Sequence, residues 1–300
     1  MSQFSPFLFV TSQDLGLYGW KVHISPVVAT THEDSIPVSN VAKRLTQSAF
    51  GAVGLQVRRK PKAVTRAAMR LPFPEATRDE QRIIDACAPY TMTSLERQWA
   101  LLKAVQYIDR HAIPGDIVEC GVWRGGSIML AKMARAGHSI ARRYMLFDTF
   151  KGMTAPTIHD VNYRGEPAAV PFAADEREDH NEGCYASLQE VEQNLSAAGF
   201  APGEAILCQG PVEETLRDSR MLPDRIALLR LDTDWYESTR IELEVLYPRL
   251  APGGVLVVDD YGHWEGSRRA VDEYFRSDAP LLVAVDYAGR VAIKPLTPAG

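Results

Sequence analysis

Apolar residues along the chain fall into two regimes that divide near residue 90. Over 1–60 they are scattered among Ser, Thr and Pro with no sustained period; weak alternation in Gly19–Val28 suggests a strand pair. A basic stretch from Arg58 to Arg70 reads as a solvated helix face. Beyond residue 90 the pattern sharpens. Leu95, Trp99, Leu102, Val105 and Ile108 recur at helical spacing after Thr93-Ser-Leu-Glu96, which has the form of a capping box and predicts a helix to about Arg110. Pro114-Gly115 ends it, and Ile117–Cys120 reads as a short buried strand. Gly121, Gly125 and Gly126 lead into a helix reaching about Gly137, and Tyr144–Phe147 is a second strand ending in Asp148. Thr149–Tyr185 shows no clear period and is rich in Pro, Gly, Asp and His; a loop that long in a compact fold is usually functional or disordered.

Regular alternation then resumes. Ser187-Leu-Gln-Glu190 is a second capping box, opening a helix that stops at Gly199. Strand Ala205–Cys208, a short helix near Val212–Arg217 and strand Ile226–Leu231 follow, the last ending in Asp232-Thr-Asp234. Tyr236–Leu250 is helical, Pro252-Gly253-Gly254 turns into strand Val255–Val258, and Asp259-Asp260 ends it. Ser267–Arg276 is a helix, and Leu281–Val285 with Arg290–Lys294 form a final strand pair around Ala288-Gly289. Strands alternating with helices predict an α/β fold, doubly wound, with a mainly parallel sheet covered on both faces.

In such sheets ligands bind beyond the carboxyl ends of the strands. Six acids gather there from four strands: Glu119, Asp148, Asp232, Asp234, Asp259 and Asp260. Around the first of them the chain reads Glu119-Cys-Gly121-Val-Trp-Arg-Gly125-Gly126-Ser127, E-x-G-x-x-x-G rather than the G-x-G-x-x-G of dinucleotide sites. A carboxylate at Glu119 suits an ammonium group better than a pyrophosphate, and Asp148, at the end of the next strand, is placed to accept from ribose hydroxyls. A cationic amino acid joined to a ribose describes S-adenosylmethionine. The bland alternative is a tight strand-to-helix turn beside a solvated acid.

The second cluster joins Asp232 and Asp234 to Asp259 and Asp260 on a neighbouring strand. Alternation puts Asp232 and Asp234 on one face while extension lasts. Three or four converging carboxylates repel one another unless a cation intervenes, and hard oxygen donors in an incomplete shell fit Mg²⁺. The alternative is a set of caps and salt bridges to Arg230, Arg240 or Arg268. Trp123, Trp235 and Trp264 are candidates for an aromatic surface under a sugar or polyketide ring.

Composition narrows the class. The 300 residues carry 33 basic and 38 acidic side chains, net −5, which argues against binding nucleic acid through bulk positive charge. No apolar run approaches the roughly 18 residues that span a bilayer, and Met1–Val10 lacks a signal-peptide pattern. Cys87, Cys120, Cys184 and Cys208 form no CxxC pair, so reduced thiols in a cytoplasmic enzyme are expected.

With both clusters placed, the chain resembles the macrocin O-methyltransferase family, the TylF-like enzymes of macrolide and aminocoumarin tailoring. The likeness rests on VECGVWRGGS (Val118–Ser127), LFDTFKGM (Leu146–Met153), LLRLDTDWYESTR (Leu228–Arg240) and YPRLAPGGVLVVDDYGHWEGSRRAVDEYF (Tyr247–Phe275), and it covers about 90–295. The resemblance implies a class I methyltransferase with a seven-stranded Rossmann-like sheet over 86–300; residues 1–85 lie outside it, an N-terminal extension that would serve either as a cover over the acceptor or in self-association to a homo-oligomer. It also implies methyl transfer from S-adenosylmethionine to a hydroxyl of a sugar or similar small-molecule acceptor, with Mg²⁺ bound. Asp232, Asp259 and Asp260 would hold the metal and Asp234 would accept the proton, with His263 the second candidate base. Glu119 and Gly121, with Gly125 and Ser127 in the same turn, would meet the methionine end; Asp148 would meet the ribose and Ser187 the adenine side. Two departures stand out: the family commonly has Gly and Leu at Thr233 and Trp235, and the 149–185 segment, a lid in relatives, differs. Other readings are a Mg²⁺-dependent phenol or catechol O-methyltransferase, a non-catalytic cofactor-binding protein using 1–85 for a partner, and an NAD-dependent dehydrogenase. The retained carboxylates count against the second, and the missing dinucleotide glycines against the third.

Overall fold

Aliphatic runs that can be buried on both faces become strands: β1 (Asp116–Cys120), β2 (Tyr144–Asp148), β3 (Ala205–Gln209), β4 (Ile226–Leu231) and β5 (Leu250–Val258), followed by the short β6 (Val283–Ala284) and β7 (Arg290–Ile293). The computed structural model describes residues 71–138 and 140–296, all within one unit spanning Ala63–Gly300. Gly19–Val28 and the basic stretch Arg58–Arg70 lie outside the described residues.

The seven strands form one sheet in the order β3-β2-β1-β4-β5-β7-β6. Strands β1 to β5 pair in parallel, whereas β7 runs antiparallel to β5 and to β6. The chain moves outward from β1 to β3, then returns across β1 to start β4, so the order reverses between β1 and β4. That switch point opens the crevice in which open α/β sheets bind ligands.

Helices α1 (Arg78–Cys87), α2 (Leu95–Arg110), α3 (Gly126–Ala134) and α5 (Leu188–Ala197) cover one face through Ile84, Leu102, Leu130 and Val191. The short α6 (Val212–Thr215), α7 (Tyr236–Leu246) and α8 (Glu265–Tyr274) cover the other through Val212, Leu243 and Val271. Helix α1 crosses the boundary expected at residue 85, and its Ile84 and Cys87 belong to the same apolar cluster as β1 and α3. All four cysteines are free thiols. No helix among the described residues is long and apolar enough to cross a membrane.

Three local readings need correction. Helix α2 is capped by Ser94, whose hydroxyl accepts the Arg97 N–H, not by Thr93, whose hydroxyl is paired with that of Thr91. Pro252-Gly253-Gly254 does not precede β5 but lies inside it: Leu250 pairs with Ile226 before a register shift in β4, and the Gly253 N–H donates to the Lys294 carbonyl at 2.9 Å. The 149–185 segment is also more regular than its sequence suggests. It contains α4 (Ala169–Asp175), and three isolated bridges, one of them Asn162 to Trp264, tie it together and to the turn after β5.

That segment is fastened by a side chain the periodicity did not single out. Asp160 is buried, accepts the Tyr236 N–H at the start of α7 (2.8 Å), and holds Thr157 through its other oxygen. One carboxylate therefore caps α7 and closes a turn of the loop, which explains why Trp235, the N-cap position, contributes no side-chain cap. Asp160→Ala is expected to lower stability by about 2 kcal/mol, read as a shift of the urea midpoint. An unchanged midpoint would assign the anchoring to backbone bonds alone.

Candidate active site

Period-2 alternation sets the site. Glu119 on β1 and Arg230 on β4 are register partners and point to the same face, so the only charge inside the buried run Ile226–Leu231 has an acid directly opposite it. Two residues further along each strand, on the same face, come Gly121, Asp232 and, from β5, Asp259. Arg230 reaches all three acids, with N–O distances of 2.7 Å to Glu119, 2.7 Å to Asp232 and 2.8 Å to Asp259. A buried guanidinium with three carboxylates is stable only as a network, since each lone charge would lose its hydration.

A second guanidinium enters from α2. Arg97 pairs with the other oxygen of Asp259 and, at 3.0 Å, with Asp286 in the β6–β7 turn. Asp286 in turn accepts from the Ser94 hydroxyl and from the Ala288 and Gly289 amides. Both oxygens of Asp259 are thus engaged by arginine. The sequence pointed to Arg230 but not to Arg97 or Asp286; Arg240 and Arg268 pair with acids on their own helices.

Asp232, Asp259 and Asp260 each place an oxygen within 4.8 Å of the others, the spacing of a cation's ligand set. With Glu119, Asp234 and Asp286, six carboxyl groups share two guanidinium groups. The donors are hard oxygens with an excess of negative charge, and a divalent cation fits them.

Asp234 does not follow the alternation expected from Asp232. Extension ends at once: Trp235 N–H closes back on the Thr233 carbonyl (2.8 Å), and Asp234 sits in the left-handed region at φ 69°. Asp tolerates that conformation better than most residues. The turn still carries Asp234 to the cluster, its N–H donating to Asp260 Oδ2 at 3.3 Å and its carboxyl lying against Asp260 and Trp264. Burial, then the charges of Asp232 and Asp259, pushes the Asp234 carboxyl up to about 7. His263 is held elsewhere, its Nδ1 2.9 Å from the Tyr287 hydroxyl, and burial followed by the charges of Arg97 and Arg164 lowers its pKa.

The two departures in this strand end each have a partner. The Thr233 hydroxyl donates to Glu242, fully buried on α7, at 2.9 Å; the Trp235 indole N–H donates to the Thr154 carbonyl at 3.0 Å. The first satisfies a buried acid and the second pins the 149–185 segment, so neither opens the cluster to solvent. Trp235 is buried and Trp123 is half-buried in the glycine turn, so the tryptophan surface expected from sequence is not formed by these two.

On the β1 side, Gly121 is required by the approach of β4: a Cβ there would lie 1.9 Å from the Asp232 carbonyl oxygen. Gly125 is the N-cap of α3 at φ 87°, and Ser127 is buried in that helix's first turn. Asp148 accepts from Val122 N–H (2.7 Å), Trp123 N–H (3.1 Å) and Phe150 N–H (2.7 Å), so it shapes the turn between β1 and α3. Ser187 caps α5 by accepting the Glu190 N–H at 3.2 Å. Glu119 is buried, and burial, opposed by Arg230, pushes its pKa up to about 7. Its Oε2 has no hydrogen-bond partner, an acceptor of the kind an ammonium donor would satisfy.

The chain has relatives among known proteins. The chain is 35% identical over 189 residues, 62% of its own length and 67% of the relative's, to an 8-demethyl-8-(2,3-dimethoxy-alpha-L-rhamnosyl)-tetracenomycin-C 4'-O-methyltransferase of Streptomyces olivaceus. It is 32% identical over 203 residues, 67% of the chain and 73% of the relative, to the demethyldecarbamoylnovobiocin O-methyltransferase of Streptomyces niveus. Among solved structures, the O-methyltransferase NovP superposes with a TM-score of 0.58 at 29% identity, covering 69% of this chain and 83% of that one. A family model described as macrocin-O-methyltransferase (TylF) matches residues 38–289, beginning well inside the stretch that the motifs leave unmatched. The sheet order, the glycine turn and the acidic rim thus belong to a member of the macrocin O-methyltransferase family, an enzyme that transfers a methyl group from S-adenosylmethionine to oxygen.

Proposed function

We propose that the enzyme methylates a hydroxyl of the sugar in a glycosylated natural product, with Mg²⁺ held by Asp232, Asp259 and Asp260. The observation that carries the reading is the convergence of those three carboxylates at the rim, with the Asp234 carboxyl against them. The relatives support the acceptor class: one acts on a rhamnosyl-bearing tetracenomycin and another is a mycinamicin III 3''-O-methyltransferase of Micromonospora griseorubida, 32% identical over 186 residues.

When bound, Mg²⁺ supplies Lewis acidity that makes a chelating hydroxyl a stronger acid. The residues of the chain do the rest. Asp234 takes the hydroxyl proton onto a carboxylate oxygen as that oxygen forms its bond to the methyl carbon, and the electron pair of the breaking C–S bond returns to sulfur. Glu119 binds the ammonium of the methyl donor through its free Oε2, while Asp148 holds the β1–α3 turn and offers Oδ1 to a ribose hydroxyl. Arg230 and Arg97 keep Asp259 fixed, so that donor and acceptor meet in line within a rigid frame.

Isothermal titration with S-adenosylmethionine, with and without Mg²⁺, tests the reading together with turnover of glycosides and catechols. Saturable donor binding and glycoside methylation lost on chelation are expected. Turnover that persists in EDTA would remove the metal role, and methylation of catechols alone would replace the sugar.

A further inference from the structure

Next to the charged cluster the surface turns aromatic. Tyr163 from the 149–185 segment, His263 and Trp264 from the turn after β5, and Tyr287 from the β6–β7 turn meet ring to ring. Centroid separations are 5.5 Å for Tyr163–His263, 5.6 Å for Tyr163–Tyr287, 5.9 Å for His263–Tyr287 and 4.9 Å for His263–Trp264, the edge and tilted contacts that aromatic pairs prefer.

Backbone bonds fix the three segments to one another. Tyr163 N–H donates to the His263 carbonyl at 2.8 Å and Gly262 N–H to the Ala288 carbonyl at 2.9 Å. The amides of His263 and Trp264 both donate to the Asp260 carbonyl, at 2.9 and 3.0 Å, so the rings stand directly on a residue of the carboxylate trio. Beneath them Trp264 packs against buried Trp235 at 5.0 Å.

His263 and Trp264 are half-buried, and the outer two rings are exposed, Tyr163 by 44% and Tyr287 by 49%. Two large rings held rigid and left open beside a catalytic rim are costly in water and cheap to use in binding, because tyrosine has little rotamer freedom to lose. A small ligand with no face to stack gains little from them. A ring presenting an apolar face gains more, and the Arg164 guanidinium lies 5.2 Å from the centre of Tyr163.

We infer that Tyr163 and Tyr287 form the platform on which the flat apolar part of the acceptor rests, the acceptor being a glycoside with an aromatic aglycone whose sugar hydroxyls face Asp260 and Asp234. The inference deepens the glycoside reading and rests on it. The aromatic surface expected of the tryptophans thus falls instead to two tyrosines from distant segments, with His263 locking Tyr287 rather than taking a proton.

The test uses the full chain with S-adenosylmethionine and Mg²⁺, and two acceptors, 4-nitrophenyl α-L-rhamnopyranoside and methyl α-L-rhamnopyranoside. The wild type should show a KM for the aryl glycoside about tenfold below that for the methyl glycoside. Tyr163→Ala and Tyr287→Ala should each collapse that ratio, with the loss in KM and not in kcat. Tyr163→Leu keeps apolar bulk in case the alanine variant misfolds, and Tyr287→Phe keeps the ring while removing the bond to His263. The phenylalanine variant should retain the preference and the leucine variant should lose it. Equal KM values in the wild type, or alanine variants that keep the preference, overturn the platform. A wild type that methylates neither glycoside overturns the glycoside reading itself, and the platform with it.

Discussion

Asp234→Asn should lower kcat by about 10²- to 10⁴-fold while leaving Mn²⁺ and S-adenosylmethionine binding within a few-fold of the wild type. Asparagine is nearly the same shape, is among the few residues that accept a left-handed backbone, and can still meet Asp260 and Trp264. The turn should therefore survive, and only the capacity to receive a proton is removed. That distinguishes Asp234 from Asp232 and Asp260, whose loss should weaken the cation first and turnover as a consequence. Initial rates with a labelled methyl donor, set beside calorimetric titration of both ligands, read the two effects separately. A fall in kcat of less than about fivefold would move the proton to another group. His263 is then the next to replace, although its Nδ1 is engaged by Tyr287 and its imidazole points along the aromatic cluster.

Much of this site could be read from the chain because it obeys strand alternation. Glu119, Arg230, Asp232 and Asp259 share a face as period 2 demands, and register alone brings them together. A lone arginine within Ile226–Leu231 was itself a signal, since a charge in a strand buried on both faces must have partners. Arg97 gave no such signal. On α2 it is one polar residue among several, and its pairing with Asp259, 162 positions away, depends on how the helix lies across the sheet. Asp286 is equally silent, a turn residue whose second oxygen is committed to α2. The end of extension at Thr233 was also out of reach, because the tight turn is held by Glu242 and Asp260 from other elements. What local pattern could not supply was the set of contacts made across the switch point, where three or four segments meet with no common period.

The Arg230 network predicts that stability depends on the cation. Arg230→Met keeps most of the apolar stem and removes the charge shared by Glu119, Asp232 and Asp259. In EDTA the variant should lose about 3–5 kcal/mol of unfolding free energy in urea, the usual result of stripping one partner from a buried ionic network. Saturating Mn²⁺ should restore a large part of that loss, because a divalent ion among the same carboxylates replaces the missing positive charge, and a ligand at 100 times its Kd contributes about 2.7 kcal/mol to the folded state. The wild type, in which Arg230 still neutralises part of that negative charge, should gain less from the same ion. Adding Glu119→Gln to Arg230→Met should recover stability in EDTA by removing one of the three acids left facing one another. If the single variant unfolds at the wild-type urea concentration in EDTA, the carboxylates are being neutralised by protons instead. Arg230 would then be a spectator of the cluster and not the charge around which Asp232 and Asp259 are arranged.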